Sequence, residues 1–85
     1  MDKSFVEKFV NERISKGEDK VSISFFEMRI KNNLSEKDTE EFLKLAKSRL
    51  EKAGFKVYLS GEYEYRDFKY QVNSNELLVA VKENR

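Results

Sequence analysis

The 85-residue sequence predicts an α+β domain of two layers, with two helices packed on one face of a four-stranded mixed sheet, in the order α-β-α-β-β-β. Two periodicities predict it, since apolar residues recur at helical spacing in two segments and at strand spacing in the others. Residues 1–85 suit a single domain, in which seven Phe and four Tyr supply a core without disulfides or metal.

A first helix is predicted over residues 2–16. Asp2 or Ser4 is a candidate N-cap, Ser4 with Glu7 matches a capping box, and Gly17 offers a stop. The apolar residues at helical spacing are Phe5, Val6, Phe9, Val10 and Ile14.

The run "VSISFFEMRI", residues 21–30, predicts a strand whose apolar parity changes at Phe25 and Phe26. A strand buried on both faces over part of its length explains this change, and so does a bulge that rotates the second half. The two sets are Val21, Ile23 and Phe25, then Phe26, Met28 and Ile30.

A second helix is predicted from the N-cap Ser35 to about Ala53, with Gly54 ending it. Its charges are mainly acidic in the first half and mainly basic in the second, which complements the helix dipole. Its predicted packing face holds Thr39, Phe42, Leu43, Ala46, Leu50 and Ala53.

Three strands close the chain, and the first two form a hairpin within "GEYEYRDFKYQV", residues 61–72. We expect the hairpin's aromatic rings to point toward the helices, together with one set of residues from each neighbouring strand. That inward set is Phe55, Val57, Leu59, Tyr63, Tyr65, Phe68, Tyr70, Val72, Leu77, Val79 and Val81. The outward set then includes Tyr58, Leu78 and Ala80 among charged residues.

A right-handed crossover through the second helix would make the first two strands parallel. Whether the first strand pairs with the second or with the last is left open by the sequence.

The residue types argue against an enzyme. The sequence has no Cys and no His, so the usual ligands of zinc and haem and the commonest general base are missing. Each close pair of carboxylates has a basic neighbour, so the pattern does not suggest a two-carboxylate active site. The three glycines are isolated, which excludes a phosphate-binding loop. We therefore expect no catalytic residue, no metal and no cofactor. The N-terminal run "MDKSFVEKFV" resembles neither a signal peptide nor a membrane anchor, so we expect a cytoplasmic protein without membrane contact.

Residues 44–83, from "KLAKSRLEKAGFKVY" to "NELLVAVKE", resemble a known group of proteins in composition and in the order of their segments. With a Lys/Glu-rich helix, an aromatic hairpin and this closing strand, the segment resembles small accessory proteins of bacteriophages and mobile elements of Gram-positive bacteria. The resemblance implies a role rather than a mechanism. Such proteins often bind and modulate or inhibit a host protein, for example a defence component such as a CRISPR effector.

The leading hypothesis is a non-enzymatic module that covers a surface of a host protein with its outer sheet face. Tyr and Arg are favoured interface anchors, which singles out Tyr58 and Arg66. The full predicted surface is Tyr58, Glu62, Glu64, Arg66, Lys69 and Gln71. A homodimer closed by the same face is a second interpretation.

The alternative hypothesis is an accessory nucleic-acid-binding protein. The chain's net charge is only +1, but cations cluster at the end of the second helix and on the strand after it. They are Lys44, Lys47, Arg49, Lys52 and Lys56.

Overall fold

The computed structural model describes residues 2–59 and 76–83, and this part of the chain is an α+β fold with two main helices and a three-stranded antiparallel sheet. A six-residue π-helix follows the first strand. The elements are α1 Lys3–Ser15, β1 Lys20–Ser24, the π-helix Phe26–Lys31, α2 Glu36–Lys52, β2 Phe55–Leu59 and β3 Glu76–Lys82.

Asp2 is the N-cap of α1, because its carboxylate accepts the backbone N–H of Ser4 at 3.0 Å. Ser4 lies inside the helix, so the predicted capping box of Ser4 with Glu7 is wrong. Gly17 follows the helix with a φ of 71°, in the left-handed region that glycine adopts without strain.

The prediction for α2 is confirmed at both ends. Ser35 caps the helix by accepting the backbone N–H of Asp38 at 3.1 Å, and Gly54 has a φ of 94° just beyond its end. The predicted packing face is also the buried one, with Thr39, Phe42, Ala46 and Leu50 buried.

The sheet order is β1-β3-β2, so the last strand lies between the other two. Leu78 of β3 is opposite Ile23 on one side and Leu59 on the other. Both outer strands run antiparallel to β3 and therefore parallel to each other, which is the direction predicted for the first two strands. The pairing that the sequence left open is thus that of the first strand with the last.

The strand predicted between β2 and β3 lies in the predicted hairpin of residues 61–72, which is outside the described residues, as are the rings of Tyr63, Tyr65, Phe68 and Tyr70. The four-stranded mixed sheet therefore stays a prediction.

The predicted orientation of β3 is wrong. Leu78 and Ala80 belong to the core with Val21 and Ile23, whereas Val79 is opposite Tyr58 and is buried outside that cluster. Both alternating sets of this strand are apolar, so the two-residue period could not choose between them. Leu77 also packs against the core, because β3 carries an extra residue where the pairing shifts between Ile23 and Ser24.

The prediction of a strand over residues 21–30 is also wrong. The strand ends at Ser24, and the chain then turns into the π-helix instead of continuing to Ile30. The parity change marked the end of the strand, and a shift in pairing does occur there.

The core lies between the helices and one face of the sheet. α2 contacts β2 and β3, and α1 packs on α2. The buried cluster is Val6, Val10, Val21, Ile23, Met28, Phe42, Ala46, Leu50, Phe55, Leu78 and Ala80.

Candidate functional site

The π-helix is formed by hydrogen bonds around Glu27. The Ser24 hydroxyl accepts the Glu27 backbone N–H at 3.1 Å, which caps the first turn. Two donors from Asn32 close the helix on the Glu27 carbonyl, the backbone N–H at 3.0 Å and the side-chain amide at 2.6 Å. The backbone bond spans five residues, the pattern that defines a π-helix, a form that recurs at functional sites.

This helix buries one of its apolar side chains and exposes two others. Met28 is fully buried in the core, while Phe26 and Ile30, four residues apart and so on one helix face, are each 61 % exposed. Phe25, just before the helix, is 46 % exposed. We name Phe25, Phe26 and Ile30 the apolar ridge.

A cation lies beside the ridge. The Arg29 guanidinium is 5.5 Å from the centroid of the Phe25 ring, within the range of a cation–π contact. The ridge therefore presents aromatic surface next to positive charge.

A groove of about 450 Å³ runs between α1 and the π-helix. Phe26 and Ile30 do not line it, but each directly precedes a residue that does, Glu27 and Lys31. The groove is lined by Phe5, Lys8, Phe9, Glu12, Arg13, Lys16, Glu27, Lys31 and Asn32.

The aromatic part of the groove is supported from below. The rings of Phe5 and Phe9 are half-buried and contact the fully buried ring of Phe42, with centroids 5.7 and 5.2 Å away. Phe9 meets Phe42 edge to face, at 89° between the ring planes, a favoured aromatic geometry. Because Phe42 is fully buried, the two rings that line the groove rest on a residue of the core.

Arg13 connects the two walls. Its guanidinium donates to the Ser22 carbonyl at 2.9 Å, forms an ion pair with Glu27 and lies 4.9 Å from the centroid of the Phe9 ring. These contacts join α1 to β1 and to the π-helix, so Arg13 sets the spacing of the groove walls. They also neutralise the charge of Glu27.

The remaining charges of the groove are mostly positive. Three lysines of the groove are exposed and make no ion pair within the part of the chain that the structure describes: Lys8, Lys16 and Lys31. Besides Glu27, the groove is lined by one carboxylate among the described residues, that of Glu12. The groove thus combines an aromatic floor with an excess of cations.

The predicted protein-binding surface is only partly described. Tyr58 lies on the sheet face away from the core, opposite Val79, with the Lys56 ammonium 5.5 Å from its ring centroid. Glu62, Glu64, Arg66, Lys69 and Gln71 lie outside the described residues. The predicted companions of Tyr58 on that face, Leu78 and Ala80, are in the core.

The predicted basic residues lie on α2 and on β2. Arg49 donates to the Asn11 side-chain oxygen at 2.8 Å and lines a cleft of about 270 Å³ between α1 and α2. Lys3 and Lys52 share that cleft with Glu7, whereas Lys56 contacts Tyr58 on β2. Lys44 is exposed on α2, and Lys47 is half-buried there.

Sequence reasoning missed the ridge because the run was interpreted as a strand. Two signals could have found it. Ser24 and Glu27 have the S-x-x-E spacing of a capping box, and Phe26 and Ile30 have the spacing of one helix face.

The pKa of Asp2 is lowered from 3.8, first by the backbone hydrogen bond from Ser4. That shift belongs to an exposed helix cap. Among the described residues, acidic side chains form no group of three or more that could hold a metal ion. None of the described helices has the length and hydropathy needed to cross a bilayer.

Compared with known protein families, with characterised proteins and with solved structures, the chain shows no match.

Proposed function

We propose that this chain is a non-enzymatic binding module that acts by docking onto another protein. The observation that carries the proposal is the apolar ridge, in which three large side chains are 46 to 61 % exposed in a chain with 39 % charged residues. Clustered apolar side chains on a surface are typical of interaction sites.

The ridge is suited to the centre of an interface. Aromatic residues and Arg are enriched there, and the ridge places Phe25, Phe26 and Arg29 together. Covering apolar surface contributes about 25 cal/mol per Å². A partner that covers two Phe rings and Ile30 therefore gains affinity without any chemistry at the site.

In the setting that the sequence resemblance implies, the partner is a host protein of a bacterium. The module would modulate or inhibit that protein by covering its surface. This part of the proposal rests on the resemblance and on the lack of Cys and His.

Affinity capture tests the docking surface. The wild-type chain, Phe26→Ser/Ile30→Ser and the control Lys44→Ser, an exposed change on α2, are immobilised and exposed to a bacterial lysate. We expect a protein held by the wild type and the control to be lost from the double variant. If all three chains hold the same proteins, the ridge is not the docking surface.

The sheet face around Tyr58 stays a second predicted docking surface. Tyr58→Ala and Arg66→Glu in the same capture experiment separate the two surfaces. Loss of the partner with these variants, and not with the ridge variant, would favour the sheet face.

Nucleic-acid binding stays the second candidate function, supported by the cleft that Lys3, Arg49 and Lys52 share. Neutralised phosphates release counterions, so such binding weakens steeply with salt. Titration of labelled single- and double-stranded oligonucleotides at low salt tests it. Binding that Arg49→Glu/Lys52→Glu abolishes would support this function, and the lack of any binding would exclude it.

A further inference from the structure

We infer that the groove between α1 and the π-helix receives an acidic amphipathic helix of the partner protein. The inference rests on the proposed function and specifies the partner's chemistry. Three features of the groove support it: its helical walls, its aromatic floor and its excess of cations.

The walls favour a helical occupant. Both are helices, whose backbone N–H and C=O groups are largely bonded within the helix, so side chains line the groove. An extended peptide would find few backbone partners there, whereas a helix satisfies its own backbone groups.

The dimensions suit a short helix. The groove follows one face of α1 from Phe5 to Lys16, which at the usual rise per residue is about 16 Å. A partner helix of about three turns matches this length.

The apolar contacts lie in two places that one amphipathic helix can cover. Phe5 and Phe9 line the groove, and the exposed Phe26 and Ile30 lie on the π-helix, one position before the groove residues Glu27 and Lys31. A partner helix with apolar residues at helical spacing would bury the floor and the ridge together.

The charges of the groove determine which sign of charge the partner helix should carry. Arg13 and Glu27 neutralise each other, which leaves Lys8, Lys16 and Lys31 with Glu12 as the opposing charge. A partner with Asp or Glu beside its apolar face would be attracted, and one with Lys or Arg would be repelled.

Two synthetic peptides test the inference directly. Both are amphipathic helices of about 12 residues with Leu at helical spacing, and they differ only in carrying Glu or Lys at the flanking positions. Fluorescence anisotropy with the full chain measures their affinities at low salt. We expect the acidic peptide to bind roughly tenfold more tightly than the basic one, with a preference that shrinks as salt is added.

Two matched charge variants locate the effect. Lys16→Glu/Lys31→Glu changes the groove, and Lys37→Glu/Lys82→Glu makes the same charge change on exposed residues that do not line it. We expect the first variant to lose or reverse the preference for the acidic peptide and the second to keep most of it. Phe26→Ser/Ile30→Ser should weaken both peptides, because it removes apolar contact from either complex.

Several outcomes would overturn the inference. They are equal affinity for both peptides, no saturable binding of either, and equal responses of the two charge variants. A sedimentation experiment could also overturn it. Self-association of the chain that Phe26→Ser/Ile30→Ser abolishes would show that a second copy of the chain covers the ridge.

The capture experiment separates this inference from the proposed function. A captured partner that is lost from the ridge variant but kept by Lys16→Glu/Lys31→Glu would leave the binding module intact and refute the acidic helix. A partner kept by both variants would refute docking at the ridge.

Discussion

The helix α2 and the π-helix differ in how much of their apolar surface they bury. Each contributes to the core, α2 through Phe42, Ala46 and Leu50 and the π-helix through Met28. Within the described residues, the large apolar side chains classed as exposed are Phe25, Phe26 and Ile30, all in or beside the π-helix. The helix α2 therefore buries its apolar face in the core, whereas the π-helix buries Met28 and leaves Phe26 and Ile30 exposed to solvent.

The largest expected effect is at the centre of the core. Phe42→Ala would leave a cavity beneath Phe5 and Phe9, so we expect a loss of about 3–5 kcal/mol in the free energy of unfolding. Urea denaturation followed by circular dichroism measures it. A loss below about 1 kcal/mol would mean that Phe42 is not the support of the groove floor.

The next prediction contrasts two residues of the π-helix. Met28→Ala removes a fully buried side chain and should cost about 2–3 kcal/mol, whereas Ile30→Ala, at an exposed position, should change stability by no more than about 0.5 kcal/mol. The same denaturation experiment compares them. Equal losses would show that Ile30 is covered in the folded chain and would remove it from the ridge.

A smaller effect is expected at the helix caps. Ser35→Ala removes the acceptor of the Asp38 N–H and should cost about 1 kcal/mol. Ser4→Ala is the control, because Ser4 lies inside α1 and its backbone N–H still reaches Asp2; it should be neutral or stabilising by a few tenths of a kcal/mol. A larger loss for Ser4→Ala would contradict the assignment of Asp2 as the cap.

The smallest effect concerns pH. The pKa of Asp2 is lower in the folded chain than its usual 3.8, so its contribution to stability is present above that value and is lost as the pH falls through the lowered folded pKa. An NMR titration of the Asp2 carboxyl measures the shift. Asp2→Asn keeps a capping side chain without the charge and should remove this part of the pH dependence. A folded pKa at or above 3.8 would contradict the hydrogen bond from Ser4.

Sequence reasoning succeeded where a single pattern dominated. For α2, the cap at Ser35, the stop at Gly54 and the buried face all follow from spacing and residue type, and the structure has all three. It failed for β3, where Leu78 and Val79 belong to two apolar sets and strand spacing cannot tell which set faces the helices.

The candidate site could be predicted only in part. The apolar residues of α1 that form the groove floor were identified, but they were assigned to packing on the sheet. The π-helix was missed because its local sequence is compatible with a strand, and the predicted contact residues beyond Tyr58 lie outside the described part. The groove itself depends on Arg13 meeting Glu27, fourteen positions away, which no local pattern indicates.

By itself the sequence determined the two helices, their C-terminal stops, the cap of α2, the α+β class and the absence of Cys and His, because these depend on local spacing and on residue type. Only the tertiary structure decided the place of β3 between β1 and β2, the face that β3 buries, and the turn of Phe25, Phe26 and Ile30 toward solvent. The physical reason is that strand pairing and burial depend on contacts between distant residues, and an apolar side chain carries no local signal that separates a core position from a docking surface.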